Sequence, residues 1–125
     1  MRRRGFTLIE LLVVMSIVAL LASIVAPRYF HSLQRGKEVA LRQTLATVRD
    51  AIDQFAADKG RYPESLDELV TARYLRQWPL DPITGQGDAW QFLPPPTDAG
   101  MSGALYELHS GAPGKASDGT AYAEW

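Results

Sequence analysis

The sequence predicts an α+β protein in which one long N-terminal helix, apolar at first and amphipathic later, packs on a small domain holding a short helix and a small antiparallel β-sheet. Three observations predict it. Residues 6–26, FTLIELLVVMSIVALLASIVA, are an almost unbroken apolar run. Leu41, Leu45, Val48, Ile52 and Phe55 then recur at spacings of four and three, the period of one helix face. After Gly60 that period disappears, and short segments are separated by clusters of Pro, Gly, Ser and Asp.

The apolar run matches the roughly 20 residues a helix needs to cross the hydrocarbon core of a membrane. A secretory signal peptide fits it poorly, because such a signal has an apolar core of about 7–15 residues and a small-residue cleavage site. This run is longer and ends in Ala26-Pro27. A twin-arginine signal, suggested by Arg3-Arg4-Gly5-Phe6, leaves Glu10 unexplained. Glu10 is the only charge in the run, and an ionised acid at the centre of a bilayer costs about 2.5–3.5 kcal/mol on insertion scales. No cation lies within the segment, so its partner comes from the chain's own end or from another chain. A cut between Gly5 and Phe6 would create an α-amino group one helical turn before Glu10. Within one subunit Glu10 would then sit at the positive end of its helix. Between subunits it could meet a neighbour's amino group, an attraction much stronger at low dielectric than in water. The competing reading leaves the acid at the level of the lipid headgroups.

These residues carry a resemblance. RRRGFTLIELLVVMSIVALLASIVAPRYF, residues 2–30, resembles the type III signal of type IV pilins and type II secretion pseudopilins. The matching features are a short basic leader (Arg2, Arg3, Arg4), Gly before the cut, Phe after it, and Glu at the fifth mature position. The resemblance implies that a prepilin peptidase cuts after Gly5 and methylates the amine of Phe6. It also implies that the apolar residues from Leu8 to Val25 form the core of a helical filament, in which Glu10 is the intermolecular pairing acid. The expected organisation is a leader at 1–5, a transmembrane and filament-core helix at 6–26, its amphipathic continuation at 27–60, and a small periplasmic α+β domain at 61–125.

The helix is expected to continue from about Pro27 to Lys59, with Arg42, Arg49, Asp50 and Asp53 on faces other than the apolar one. Pro27 removes a backbone donor and can kink the helix, Gly36 adds a second soft point, and Gly60 is a suitable stop. Ser65 and Glu68 fit the capping box S-x-x-E, predicting a short helix over 66–73 that buries Leu66, Leu69 and Val70. Residues 77–90, QWPLDPITGQGDAW, read as an ordered loop. Residues 89–93 and 104–109 are the strand candidates, joined by a stiff connection containing Pro94 to Pro96. Ser110-Gly111 and Asp118-Gly119 read as turns. The remainder is a long loop pinned by Tyr122 and Trp125, whose rings offer large burial area.

This second half extends the resemblance. KGRYPESLDELV, then YLRQWPLDPITGQGDAWQFL and the final Trp125, is similar to the G-type major pseudopilins of type II secretion. That family has a long helix, a short helix, a loop with Asp-Pro, a small antiparallel sheet and a C-terminal loop that binds calcium. Most major type IV pilins carry a C-terminal cysteine pair, and the lack of cysteine here favours the pseudopilin side. The calcium loop is where the sequence departs from the family. Aligned back from Trp125, the family's acidic ligand positions fall on Pro113, Thr120 and Ala121, none of which offers a carboxylate. Asp118 is the one acid within the loop, at a position that contributes through its backbone in the family, and Glu124 lies beyond it. Calcium takes six to eight oxygen ligands. Asp118 is therefore an isolated calcium candidate, and the expectation is a loop held by packing and backbone hydrogen bonds, indifferent to chelators.

Other chemistry is poorly supported. A net charge of −1 and a pI near 6.1 leave no electrostatic footprint for nucleic acid. Without cysteine there are no disulfides or thiolate sites. His31 and His109 lie in different elements without convergent partners for zinc or catalysis. The expected function is thus a structural pseudopilus subunit without enzymatic activity. It would be a single-pass inner-membrane protein before assembly, with its C-terminal domain in the periplasm. Its expected partners are identical copies, other pseudopilins, the prepilin peptidase, the inner-membrane assembly platform and the membrane itself. The alternatives are a type IV pilus or minor pilin subunit and, from another class, a monomeric membrane-anchored periplasmic binding or enzymatic domain.

Overall fold

The structure, a computed structural model, describes residues 4–125. Helix α1 runs from Leu8 to Lys59. Thr7 opens it as a cap: its hydroxyl accepts a hydrogen bond from the Glu10 amide (3.2 Å) and its carbonyl one from the Leu11 amide (3.1 Å). Ser16 and Ser23 donate their hydroxyls to the carbonyls of Leu12 and Leu20, both at 2.7 Å, which satisfies polar groups inside an apolar stretch. The helix continues through Pro27 without interruption. It stops at Gly60, whose φ of 71° is a left-handed geometry glycine adopts without a Cβ penalty. By its internal contacts the chain divides between Arg35 and Gly36 into two compact units.

In the unit beginning at Gly36, the apolar stripe is the core, as its spacing predicts. Leu41, Leu45, Val48, Ile52 and Phe55 are all buried, together with Ala51 and Ala56. Helix α2, Leu66–Thr71, lays Leu66 and Leu69 on them, and Leu75, Trp90, Leu105, Leu108, Ala112, Ala116 and Tyr122 complete the cluster. Fully burying one such aliphatic side chain is worth about 1.5–3 kcal/mol. This stripe therefore supplies the dominant cohesion.

The capping box forms in a variant way. Ser65 Oγ accepts from the Glu68 amide (3.3 Å), but the Glu68 carboxylate accepts from the amide of Glu64 (2.7 Å) rather than that of Ser65. It also pairs with Arg61, which holds the Glu68 carboxyl below the usual carboxylate range. Helix α2 ends at Thr71, two residues short of the Arg73 expected from the sequence, and Val70 is half-buried rather than buried. Arg73 is the reason: it takes a φ of 66°, with its amide on the Val70 carbonyl (3.1 Å) and the Tyr74 amide on the Leu69 carbonyl (2.9 Å). That is a Schellman ending with arginine where glycine is usual, so no glycine marked the stop in the sequence.

The sheet is two antiparallel strands, β1 at Trp90–Leu93 and β2 at Glu107–Ser110, with Trp90 opposite Ser110 and Leu93 opposite Glu107. The second strand begins three residues later than 104–109 suggested. Residues 104 and 105 instead donate their amides to the Pro63 carbonyl, at 3.2 and 2.8 Å. The turn expected at Ser110-Gly111 is corrected as well. Ser110 is the last residue of β2 and fully buried, because its hydroxyl donates to Asp81 Oδ2 at 2.5 Å. Asp81, equally buried, also accepts from the Ile83 amide (2.8 Å) and so ties the 77–90 loop to the sheet. A Cβ on Gly111 would lie 1.7 Å from the Ala89 carbonyl oxygen, which is why the chain leaves the sheet through glycine.

Two outcomes follow from these geometries. Arg73→Gly relieves a left-handed residue and should raise the unfolding free energy by about 0.5–1 kcal/mol, read from denaturant unfolding of the detergent-solubilised chain. Asp81→Ala strands a buried hydroxyl and an amide, and in the same measurement should cost about 2–4 kcal/mol.

Candidate functional site

The residues singled out for processing and assembly lie in the first unit. Arg2 and Arg3 fall outside the described residues; Arg4, Gly5 and Phe6 precede the helix and are exposed. Phe6 is 87% exposed, and every residue from Arg4 to Leu33 is exposed. The apolar side chains from Leu8 to Val25 thus surround α1 on all sides without cover. The helix is long and apolar enough to cross a membrane, with a mean hydropathy of 2.8 over its most apolar stretch. Glu10 stands in the first turn of this helix. Its amide is used by the Thr7 cap, and among the described residues its carboxylate has no ion pair. Thr7-x-x-Glu10 is itself a capping pattern legible in the sequence, though only the Thr7 half of it forms. The cap accounts for an acid-tolerant first turn and leaves the carboxylate available to a group outside the chain.

The C-terminal loop is held by polar side chains from α1. Glu38 is buried, and its Oε1 accepts from the Ser117 amide (2.8 Å) and the Tyr122 hydroxyl (3.1 Å), while its Oε2 accepts from the Ser117 hydroxyl (2.6 Å). Arg42 reaches Asp118 Oδ2 at 3.2 Å and stacks over the Trp125 ring at 4.2 Å. Arg49 donates to Glu107 Oε1 (2.6 Å) and to the main-chain oxygens of Leu108 (3.0 Å) and Trp125 (2.8 Å). His109 Nδ1 also meets the Trp125 main-chain oxygen, which requires the proton on Nδ1.

Asp118 turns inward on its own loop. Its Oδ1 accepts from the Thr120 hydroxyl (2.6 Å) and amide (3.0 Å), and these bonds, with Arg42 behind them, hold its carboxyl below the usual range. The Thr120 hydroxyl accepts in turn from the Trp125 indole (2.7 Å). Tyr122 and Trp125 stack edge to face at 5.4 Å, and residues 122–124 form a short 3₁₀ turn. Tyr122 and Trp125 therefore pin the loop as expected, and Arg42 and Arg49, on faces other than the apolar stripe, reach across to it. Among the described residues no three acids or histidines gather in one place. A signal for this arrangement was present: the four-three spacing extended back from Leu41 by three places falls on Glu38.

A continuous N-terminal helix bare along its apolar part, followed by a short helix and a two-stranded sheet, defines a pilin-like protein. The family model described as the prokaryotic N-terminal methylation motif matches residues 1–26. The type II secretion system core protein G of Klebsiella pneumoniae is 32% identical over 75% of this chain and 76% of that protein. Its counterpart in Pseudomonas aeruginosa is 31% identical over 92% of this chain and 89% of that protein. The chain belongs to the family of type II secretion system core protein G. The type IV major pilin protein PilA of Myxococcus xanthus is 35% identical over 54% of this chain but only 31% of that protein. No solved structure matches the chain significantly.

The depressed Asp118 carboxyl gives a pH dependence. A carboxyl whose folded pKa lies below its unfolded value of about 3.9 contributes stability above that value and loses it as pH falls through the folded one. Thermal stability should therefore decline below about pH 4, and Asp118→Asn should flatten part of that decline in melting curves collected across the range. Arg49→Met, which removes three hydrogen bonds from one guanidinium, should destabilise by about 1–3 kcal/mol in denaturant unfolding.

Proposed function

We propose that this chain is a structural subunit of a type II secretion pseudopilus. It is stored in the inner membrane through residues 6–26, cut after Gly5 by a prepilin peptidase, methylated on the Phe6 amine and polymerised with copies of itself and other pseudopilins. The domain after the apolar helix then lies in the periplasm. The observation that carries this reading is the uncovered apolar helix whose one acid in the first turn has no ion pair among the described residues. The hydrocarbon core of a membrane can cover those side chains, but it offers no cation to Glu10. The α-amino group of a neighbouring subunit, exposed by cutting after Gly5, offers both a cation and, with its own helix, an apolar surface. Roles follow for individual residues: Gly5 and Phe6 are read by the peptidase, Glu10 sets register between subunits, and Leu8 to Val25 pack the filament core. The subunit works by assembling, and the reading assigns it no enzymatic activity.

The likeness to the Myxococcus xanthus pilin, over 54% of the chain, supports a second reading, a type IV pilus subunit. The match to core protein G proteins extends through the second unit and favours secretion.

Mass spectrometry of the protein from its native membrane should find a mature N-terminus at N-methylated Phe6; a chain that still begins at Met1 contradicts processing. Replacing Gly5 by valine should leave the uncut form in the membrane. Glu10→Leu should insert at least as well as the parent while filament yield falls, as expected if the critical concentration for assembly rises about tenfold on losing roughly 1.4 kcal/mol per subunit contact. Unchanged yield by electron microscopy and sedimentation would remove Glu10 from the assembly contact.

A further inference from the structure

The resemblance to G-type pseudopilins raises the question of whether this C-terminal loop can hold calcium, and the chemistry of its polar groups answers it. A calcium ion needs six to eight oxygens turned toward one point, with carboxylates among them. Here the one loop carboxylate and several loop carbonyls are already engaged with donors. Asp118 spends one carboxylate oxygen on Thr120 and the other on Arg42. The carbonyls of Ala116, Thr120, Ala121 and Tyr122 accept from Gly119, Ala116, Glu124 and Trp125 in turn. What the loop directs toward Glu38 on α1 is the opposite polarity: the Ser117 amide, the Ser117 hydroxyl and the Tyr122 hydroxyl, all donating to its carboxylate.

We propose that the Glu38 carboxylate, delivered from α1, fastens the C-terminal loop in place of a calcium ion, so that this pseudopilin closes its loop without metal. The two solutions are electrostatic inverses. A calcium loop gathers acceptors around a cation supplied from solution, and this loop gathers donors around an anion supplied by the chain itself. The position of Glu38 supports the exchange. It continues the stripe that Leu41, Leu45, Val48, Ile52 and Phe55 define, so it is carried into the core at a place where an aliphatic residue would otherwise pack. A carboxylate buried there is costly unless hydrogen-bonded, and charge-assisted bonds of this kind are about twice as strong as neutral ones. Burial and three donors together make the contact both strong and specific for an acid. Arg42, one turn further along α1, adds a cation beside the Asp118 carboxylate.

The test uses the full chain in detergent micelles, with melting curves, calorimetric titration of calcium chloride and amide hydrogen exchange over residues 114–125. For the parent protein, EDTA should leave Tm unchanged, millimolar calcium should not raise it, and titration should show no saturable binding. Glu38→Ala should lower Tm by 5 °C or more and speed exchange at Ser117 and Tyr122 at least tenfold. A fall in Tm on adding EDTA, saturable calcium binding, or unchanged exchange in Glu38→Ala overturns the proposal. If Glu38→Ala does not accumulate, Glu38→Gln keeps the shape and removes the charge. It should still speed exchange at Ser117, and parent-like protection there overturns the proposal equally. None of these readouts depends on filament assembly, so they stand or fall separately from the pseudopilus reading.

Discussion

An apolar helix surface open on every side has to be covered by something that its own chain does not supply. From Phe6 to Val25 that surface carries one charge, and the relative sizes of the two effects explain why the charge can stay. Each aliphatic side chain removed from water is worth about 1.5–3 kcal/mol, against about 2.5–3.5 kcal/mol for an ionised acid at mid-membrane. The run thus tolerates Glu10 on insertion but gains nothing from it there. Under the proposed function, a carboxylate tolerated without benefit in lipid takes its benefit in the filament. An amino group newly made on an adjacent copy is a partner that both the position and the chemistry of Glu10 fit. The Thr7 cap leaves the carboxylate free to take such a partner.

The same helix solves a different problem in the unit from Gly36 onward. There the four-three stripe is covered by the short helix, the two strands and the loops between them. Its first member is an acid rather than an aliphatic residue. Polar groups at the edges of this core are matched one by one: Asp81 with Ser110 and Ile83, Glu38 with Ser117 and Tyr122, Arg49 with the Trp125 main-chain oxygen. Among the described residues no buried side-chain nitrogen or oxygen is left without a partner. Small domains with so little regular structure depend on such matching, since two four-residue strands contribute few ladder bonds.

Features governed by local period were legible in the sequence. The stripe from Leu41 to Phe55, the stop at Gly60 and the cap at Ser65 follow from spacing and residue type within a few positions. Features set by distant partners were not. Ser110 reads as a turn residue until Asp81, far away in the chain, takes its hydroxyl. Arg73 reads as helical until the Schellman bonds place it at positive φ. Arg42 and Arg49 read only as lying off the apolar face, because nothing in their neighbourhood in sequence announces Asp118 or Trp125. Glu38 lies between these cases: its period was visible, but an acid on an apolar stripe gains meaning only once its donors are found. At the N-terminus the residues of the proposed function, Gly5, Phe6 and Glu10, lie close together in the sequence, and the structure adds the Thr7 cap beside them.

The central claim is that Glu10 pairs with the amino group of Phe6 on a neighbouring copy. It is tested most directly by solid-state NMR on filaments co-assembled from two pools of subunit, one labelled with ¹⁵N at phenylalanine and the other with ¹³C at the glutamate side-chain carboxyl. The account predicts dipolar dephasing between the secondary-amine nitrogen and a carboxylate carbon, at the separation of an ion pair whose N···O distance is about 4 Å or less. Because the labels sit on different molecules, such a signal arises only between subunits. Well-ordered filaments that show no dephasing at that nitrogen would contradict the account.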